Sequence, residues 1–180
     1  MKVFIKYCYY LLFELITDST QDNKITQNNF KKILVGVDGS KKSFEAADHA
    51  INLAAKYKSK LLLIVNILPI EPWYYGEHPY EWGKLEKLER VYNKEKKEMQ
   101  NILDRIKVKA DEHNLISKTE IIMNASTTNP SMALVDYSER NNVDLIVVGT
   151  RGRTGFKKIL LGSVASGVVT YAHCPVLVIK

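Results

Sequence analysis

The chain has 180 residues and a mass of 20.6 kDa, which is enough for one domain with its own hydrophobic core. A hydrophobic fraction of 46% and a charged fraction of 26% are those of ordinary globular proteins and exclude a disordered or fibrous class. The net charge of +6 favours an anionic partner, and a small anionic ligand is favoured over nucleic acid because no aromatic and basic RNA-binding motif is present.

The N-terminal segment, residues 1–30, is predicted to be an extension and linker that precedes a domain at residues 31–180. Its first part, MKVFIKYCYYLLFELI, is apolar, but Lys6 and Glu14 interrupt it and it is shorter than the roughly 18–20 residues of a membrane span. We therefore predict no membrane partner. Two explanations stay open: an amphipathic segment that packs on the domain or on a partner, and a start codon assigned too early.

Short apolar runs alternate with helix-like segments from Lys31 to the end of the chain. Three apolar runs are typical of strands buried on both faces of a parallel sheet: 31–38, 60–68 and 144–150. Two further runs, 118–125 and 175–180, are also predicted to be strands. Four segments between them have apolar residues at helical spacing: 43–58, 84–114, 130–142 and 163–172. This order predicts a right-handed, doubly wound parallel α/β sheet.

The aromatic segment at 69–83, PIEPWYYGEHPYEWG, is predicted to be a long loop. Its tryptophans and tyrosines suit either a lid over a ligand or a surface that packs on the core of the domain. We favour packing, since aromatic loops more often cover their own core edge.

The cysteines and histidines are too scattered to form a zinc site or a disulfide framework. Cys8 and Cys174 lack a Cys-x-x-Cys spacing, and no two histidines recur at a ligand-like interval. This cysteine usage is typical of a reducing compartment, so we predict a cytoplasmic protein without a dedicated metal site.

Glycines and polar residues follow the first and fourth predicted strands, where an open α/β sheet binds its ligands. Asp38 follows the first strand, while Gly149 and Gly152 follow the fourth. Gly162 and Ser163 then begin the last predicted helix, whose dipole favours negative charge. Taken singly, each residue has a structural explanation such as a helix cap, but together they predict a phosphate site built from main-chain N–H groups.

Four basic residues in the same stretch add diffuse attraction and are predicted to be surface charges: Arg151, Arg153, Lys157 and Lys158. The stretch is not a Walker A loop, and the Rossmann glycine motif is absent after the first strand.

Three segments resemble the universal stress protein family, in its nucleotide-binding branch: ILVGVDGS at 33–40, DLIVVGTRGRTGFKKILLGSVASGVV at 144–169 and CPVLVIK at 174–180. The likeness extends from Lys31 to Lys180. It implies a doubly wound five-stranded parallel sheet of order 3-2-1-4-5, with a Rossmann-like, adenine nucleotide alpha hydrolase-like architecture.

The resemblance also implies which residues bind an adenine nucleotide. Asp38 would bind the ribose, the backbone of Val65 would meet the adenine, and Val37 would line the base pocket. The phosphates would be held by Gly149, Gly152, Gly162 and Ser163, with a further amide from Val164. The family commonly has Gly-x-Pro after the third strand, whereas this chain has Asn124-Ala125-Ser126, so the pocket wall there is expected to differ.

The implied ligand is ATP, accompanied by Mg²⁺ or Mn²⁺. The sequence has no dedicated carboxylate pair for the metal, which would be held chiefly by ligand oxygens and water. The implied assembly is a homodimer through the final strand, 175–180, which would be an exposed sheet edge in a monomer.

Three functions fit this sequence. The first is an ATP-binding stress-response regulator or switch. The second is a slow ATP hydrolase, and the third is a dimeric scaffold that binds AMP, cyclic AMP or no nucleotide. Binding is favoured over catalysis because the sequence has phosphate donors but no evident residue to orient an attacking water, and no catalytic residue is assigned.

Overall fold

The structure, a computed structural model, describes residues 4–6, 30–69, 82–124, 129–150 and 161–180. The strands are β1 (Phe4–Lys6), β2 (Lys32–Gly36), β3 (Leu61–Pro69), β4 (Ser117–Asn124), β5 (Leu145–Gly149) and β6 (Val176–Ile179). The helices are α1 (Lys41–Tyr57), α2 (Trp82–Glu112), α3 (Pro130–Arg140) and α4 (Ser163–Tyr171).

Five strands form a parallel sheet in the order β4-β3-β2-β5-β6. This confirms the predicted order 3-2-1-4-5. The chain runs outward from β2 through β3 to β4, and then returns to place β5 on the other side of β2. The strand order therefore reverses between β2 and β5, and the carboxyl ends of these two strands lie side by side.

A sixth strand, β1, pairs antiparallel with β6, with Phe4 opposite Val178 and Lys6 opposite Val176. The expectation that the final strand is an open edge in a monomer is therefore wrong, because backbone groups of the same chain cover it. Residues 4–6 of the N-terminal segment thus pair with the last strand of the domain. Residues 7–29 lie outside the described part of the chain.

The central strands of the sheet are buried between two helical layers, which explains why β2 and β5 show no polar alternation. Successive side chains of a strand point to opposite faces. Ile33 and Val35 pack with α1 and α2 on one face, whereas Leu34 and Val148 pack with α3 and α4 on the other. Both sets are almost fully buried, so every position of these strands favours an apolar residue.

The aromatic loop at 69–83 is represented only by its ends, since Pro69 closes β3 and α2 begins at Trp82. Its predicted packing role falls on residues outside the described ranges. Within those ranges, no helix combines the length and the apolarity that crossing a membrane requires.

Candidate functional site

A cavity of about 420 Å³ opens at the carboxyl ends of β2, β3 and β5. It lies at the reversal of strand order, where the sequence predicted a ligand site. Its lining comes from both helical layers and from the strand ends: Gly36, Val37, Asp38, Ser43, Val65, Asn66, Ile67, Leu68, Met99, Pro130, Leu134, Val148, Gly149, Thr150, Gly162, Ser163, Val164 and Ala165.

Asp38 is held at the rim of this cavity by the turn between β2 and α1. Its Oδ1 accepts a hydrogen bond from the Ser40 N–H at 2.9 Å. Ser40 is the N-cap of α1, and its Oγ accepts from the Ser43 N–H at 3.2 Å. Between them, Gly39 has φ +82°, a left-handed conformation that a side chain would strain. The turn thus fixes a half-buried carboxylate beside the cavity.

The N-terminus of α4 faces the same cavity. Gly162 is its N-cap and donates its N–H to the Thr150 carbonyl at 2.7 Å, so this amide is already engaged. The Thr150 N–H in turn donates to the Ile179 carbonyl at 2.8 Å. The first amides inside a helix have no acceptor within the helix, and here they belong to cavity-lining residues 163–165. These N–H groups and the helix dipole favour an anion.

Gly149 has a structural role that its sequence context does not reveal. An added Cβ would lie 2.8 Å from the backbone carbonyl carbon and oxygen of Lys42, in the first turn of α1. The end of β5 therefore contacts the start of α1 directly, backbone against backbone. This contact lies beside the cavity, which Gly149 and Ser43 both line.

The β3 side of the cavity is organised by hydrogen bonds around Val37. The Val37 N–H donates to the Val65 carbonyl at 2.8 Å, and the Asn66 Nδ2 donates to the Val37 carbonyl at 2.7 Å. The adenine contact predicted for the Val65 backbone remains a prediction, and the carbonyl of that residue already accepts a hydrogen bond. Sequence reasoning missed Asn66, although it is the only polar residue in the run LLLIVNIL.

Seven of the eight predicted binding residues line this one cavity: Val37, Asp38, Val65, Gly149, Gly162, Ser163 and Val164. The eighth, Gly152, lies in the 151–160 stretch outside the described residues, as do the four basic residues predicted to add diffuse attraction. Besides Asn66, sequence reasoning missed Thr150 and Met99. Met99 comes from the long helix α2, whose contact with the site no local motif signals.

Other reactive chemistry is sparse in the part of the chain that the structure describes. There, no group of three or more His, Cys, Asp or Glu side chains is arranged to hold a metal ion. Burial raises the pKa of the Cys174 thiol to about 11, so this cysteine is not an activated nucleophile. Among the described residues that line the cavity, Asp38 is the one carboxylate, and the first amides of α4 are main-chain donors.

Comparisons with known proteins agree with this geometry. Residues 29–180 match the model of the universal stress protein family. The chain is 36% identical to the universal stress protein MJ0531 of Methanocaldococcus jannaschii, over 99% of this chain and 96% of that protein. Its fold is similar to that of the hypothetical protein MJ0577 from the same organism, with a TM-score of 0.68 and 27% identity over 84% of this chain and 96% of the other.

A more distant solved structure is a universal stress protein in complex with cAMP. It has a TM-score of 0.57 and 24% identity, over 84% of this chain and 97% of the other. At this identity, the likeness shows a shared fold.

Proposed function

Because the chain belongs to the universal stress protein family, we propose that it binds ATP and acts as a nucleotide-dependent regulator or switch in the stress response. One observation carries the proposal: a carboxylate and a helix N-terminus face a single cavity at the point where the strand order reverses. The carboxylate of Asp38 suits ribose hydroxyls, which donate to it. The amides of α4 suit phosphate oxygens, which accept from them.

The order of the strands supports one orientation for the nucleotide. Neighbouring strands lie about 4.8 Å apart, so β3, β2 and β5 together span roughly 10 Å, the scale of a nucleoside. Phosphates at α4 lie beyond the end of β5, and a ribose at Asp38 lies beyond β2. The base then lies beyond β3, against apolar side chains of Val37, Leu68 and Met99.

ATP is proposed rather than a monophosphate because of the stretch that joins Gly149 to Gly162. It contains two further glycines, which let backbone N–H groups approach an anion, and four basic residues that add diffuse attraction, a composition suited to more than one phosphate group. The cAMP complex of the distant relative supports the adenine part of the proposal. Competition between ATP and cAMP is thus a direct way to compare the two ligands.

A divalent metal fits this pocket only as a companion of the phosphates. Asp38 is the one carboxylate among the described residues that line the cavity, and its Oδ1 already accepts from the Ser40 N–H. Mg²⁺ or Mn²⁺ would therefore be coordinated mainly by phosphate oxygens and water, where it would neutralise phosphate charge.

The proposal is tested first on the unmodified protein. Protein purified without added nucleotide is denatured, and the released small molecules are identified by mass spectrometry. Calorimetric titrations with ATP, AMP and cAMP follow. We expect ATP to bind more tightly than AMP. If nothing co-purifies and none of the three ligands binds below millimolar concentration, the proposed function is wrong.

A charge placed at the start of α4 tests where the phosphates bind. Ser163 is exposed and lines the cavity, and Ser163→Asp places a carboxylate beside the proposed phosphate position. We expect this change to weaken ATP binding by about tenfold or more through charge repulsion, and to leave adenosine binding within about twofold.

Ser166→Asp is the matched control, because Ser166 is an exposed serine of the same helix that does not line the cavity. It should leave both affinities near those of the unmodified protein. Equal losses of ATP and adenosine binding in Ser163→Asp would mean that the phosphates do not lie at α4.

A further inference from the structure

We propose that Oδ1 of Asn66 accepts a hydrogen bond from the 6-amino group of adenine, and that this contact makes the cavity select 6-amino purines over 6-oxo purines. The inference deepens the proposed function and rests on it. It assigns base selectivity to one residue of β3 that lines the cavity.

The orientation of the Asn66 amide is fixed by its neighbour. Its Nδ2 lies 2.7 Å from the carbonyl oxygen of Val37, and a carbonyl can only accept. The nitrogen must therefore face Val37, and the oxygen must point the other way. The Val37 N–H in turn donates to the Val65 carbonyl, so Val37, which directly follows β2, is joined to β3 by two hydrogen bonds.

The oxygen of this amide is buried without a donor. Asn66 is 4% exposed, and no group of the described residues donates a hydrogen bond to its Oδ1. A buried acceptor without a donor is costly, and such groups in native proteins call for an explanation. An apolar residue at position 66 would avoid this cost, and β3 uses apolar residues at the four preceding positions, which are almost fully buried.

A ligand that donates a hydrogen bond to Oδ1 of Asn66 would remove the cost of the unpaired oxygen, and the residues around it indicate the kind of ligand. Asn66 and Met99 line the same cavity as the aliphatic side chains of Ile67 and Leu68, which suit the flat face of an aromatic ring. A ring that carries an N–H donor on its edge satisfies both the apolar walls and the amide oxygen. The 6-amino group of adenine is such a donor, whereas the 6-oxo group of hypoxanthine or guanine would set two acceptors against each other.

A series of ligands on the unmodified protein tests this proposal without any change in the fold. Calorimetry is carried out with ATP, with purine riboside 5′-triphosphate, which lacks the 6-amino group, and with ITP, which has a 6-oxo group. We expect the purine riboside analogue to bind about tenfold more weakly than ATP, and ITP more weakly still, by about a hundredfold.

The outcomes of this series separate the two proposals. If none of the three triphosphates binds, the proposed function fails and the inference falls with it. If ATP binds and the analogue without the amino group binds equally well, the proposed function stands and the role of Asn66 is overturned. Equal binding of ATP and ITP overturns it as well.

Asn66→Ala assigns the preference to this side chain. The readout is the ratio of the dissociation constants of ATP and the purine riboside analogue, because a general loss of packing changes both constants alike. We expect the preference for ATP to fall from about tenfold to about one. Asn52→Ala, the same change at an exposed asparagine of α1 that does not line the cavity, should keep the preference. If Asn66→Ala also keeps the preference for ATP, another group binds the 6-amino group and the inference is wrong.

Discussion

Gly149 lies where the end of β5 contacts the start of α1 beside the cavity. A Cβ at this position would lie 2.8 Å from backbone atoms of Lys42, which cannot rotate away as a side chain can. We expect Gly149→Ala to destabilise the protein by about 1–3 kcal/mol and to weaken ATP binding, since α1 must move and the Asp38 turn with it. Urea unfolding and calorimetry measure the two effects.

Gly36→Ala is the matched control for this change. Its Cβ would meet the Cδ2 of Leu134 at 3.1 Å, and this side-chain end can shift by a few tenths of an ångström. The loss of stability should therefore be smaller than for Gly149→Ala. An equal or larger loss for Gly36→Ala would show that the contact between β5 and α1 is not the tighter of the two.

Residues whose role follows from their place after a strand or at the start of a helix are easier to identify from sequence than residues whose role depends on a contact far away in the chain. Asp38 and Ser163 were predicted as binding residues because each follows a strand or begins a helix, and both line the cavity. The backbone contact of Gly149 depends on Lys42, more than 100 residues earlier in the chain. The orientation of the Asn66 amide likewise depends on Val37, which follows a different strand, so neither property follows from local sequence.

At the scale of elements, α3 and α4 approach each other through Gly167. An added Cβ there would lie 2.2 Å from the Oγ and 2.6 Å from the Cβ of Ser131. Alanine is favoured over glycine inside a helix by about 1 kcal/mol, but this clash is larger. We expect Gly167→Ala to lower the free energy of unfolding by about 1–3 kcal/mol, as measured by urea denaturation.

The second change in this cycle is Ser131→Gly, which removes the side chain that the new Cβ would meet. The double variant should be more stable than the sum of the two single effects predicts, because the clash is gone. If the effects of the two changes on the free energy of unfolding simply add, the clash with Ser131 is not what destabilises Gly167→Ala.

The elements themselves were largely predictable because their signals are local. The predicted helix at 43–58 is observed at Lys41–Tyr57, and that at 84–114 is observed at Trp82–Glu112. Ser40 and Asn129 cap α1 and α3 with side chains that accept from backbone N–H groups, and Pro130 follows in the first turn of α3. The exception is β1, since a three-residue strand has no periodicity and exists only through its partner β6.

At the scale of the whole molecule, β1 changes the expectation for assembly. An unpaired edge strand offers its N–H and C=O groups to any other chain, and the family resemblance implied a homodimer through residues 175–180. In this structure β1 pairs with Val176, Leu177 and Val178 of that edge. A second chain that pairs along the same edge must displace β1, so the N-terminal strand and the partner compete for the same backbone groups.

Removal of β1 should therefore strengthen self-association. A shortened chain that begins at residue 29, where the family match starts, has the edge of β6 uncovered. We expect its dimer dissociation constant, measured by analytical ultracentrifugation, to be at least about tenfold lower than that of the full chain. Leu177→Lys in the shortened chain should reverse this gain, because a charged residue on an edge strand opposes pairing. Equal dissociation constants for the full and shortened chains would show that β1 does not compete with a second copy for this edge.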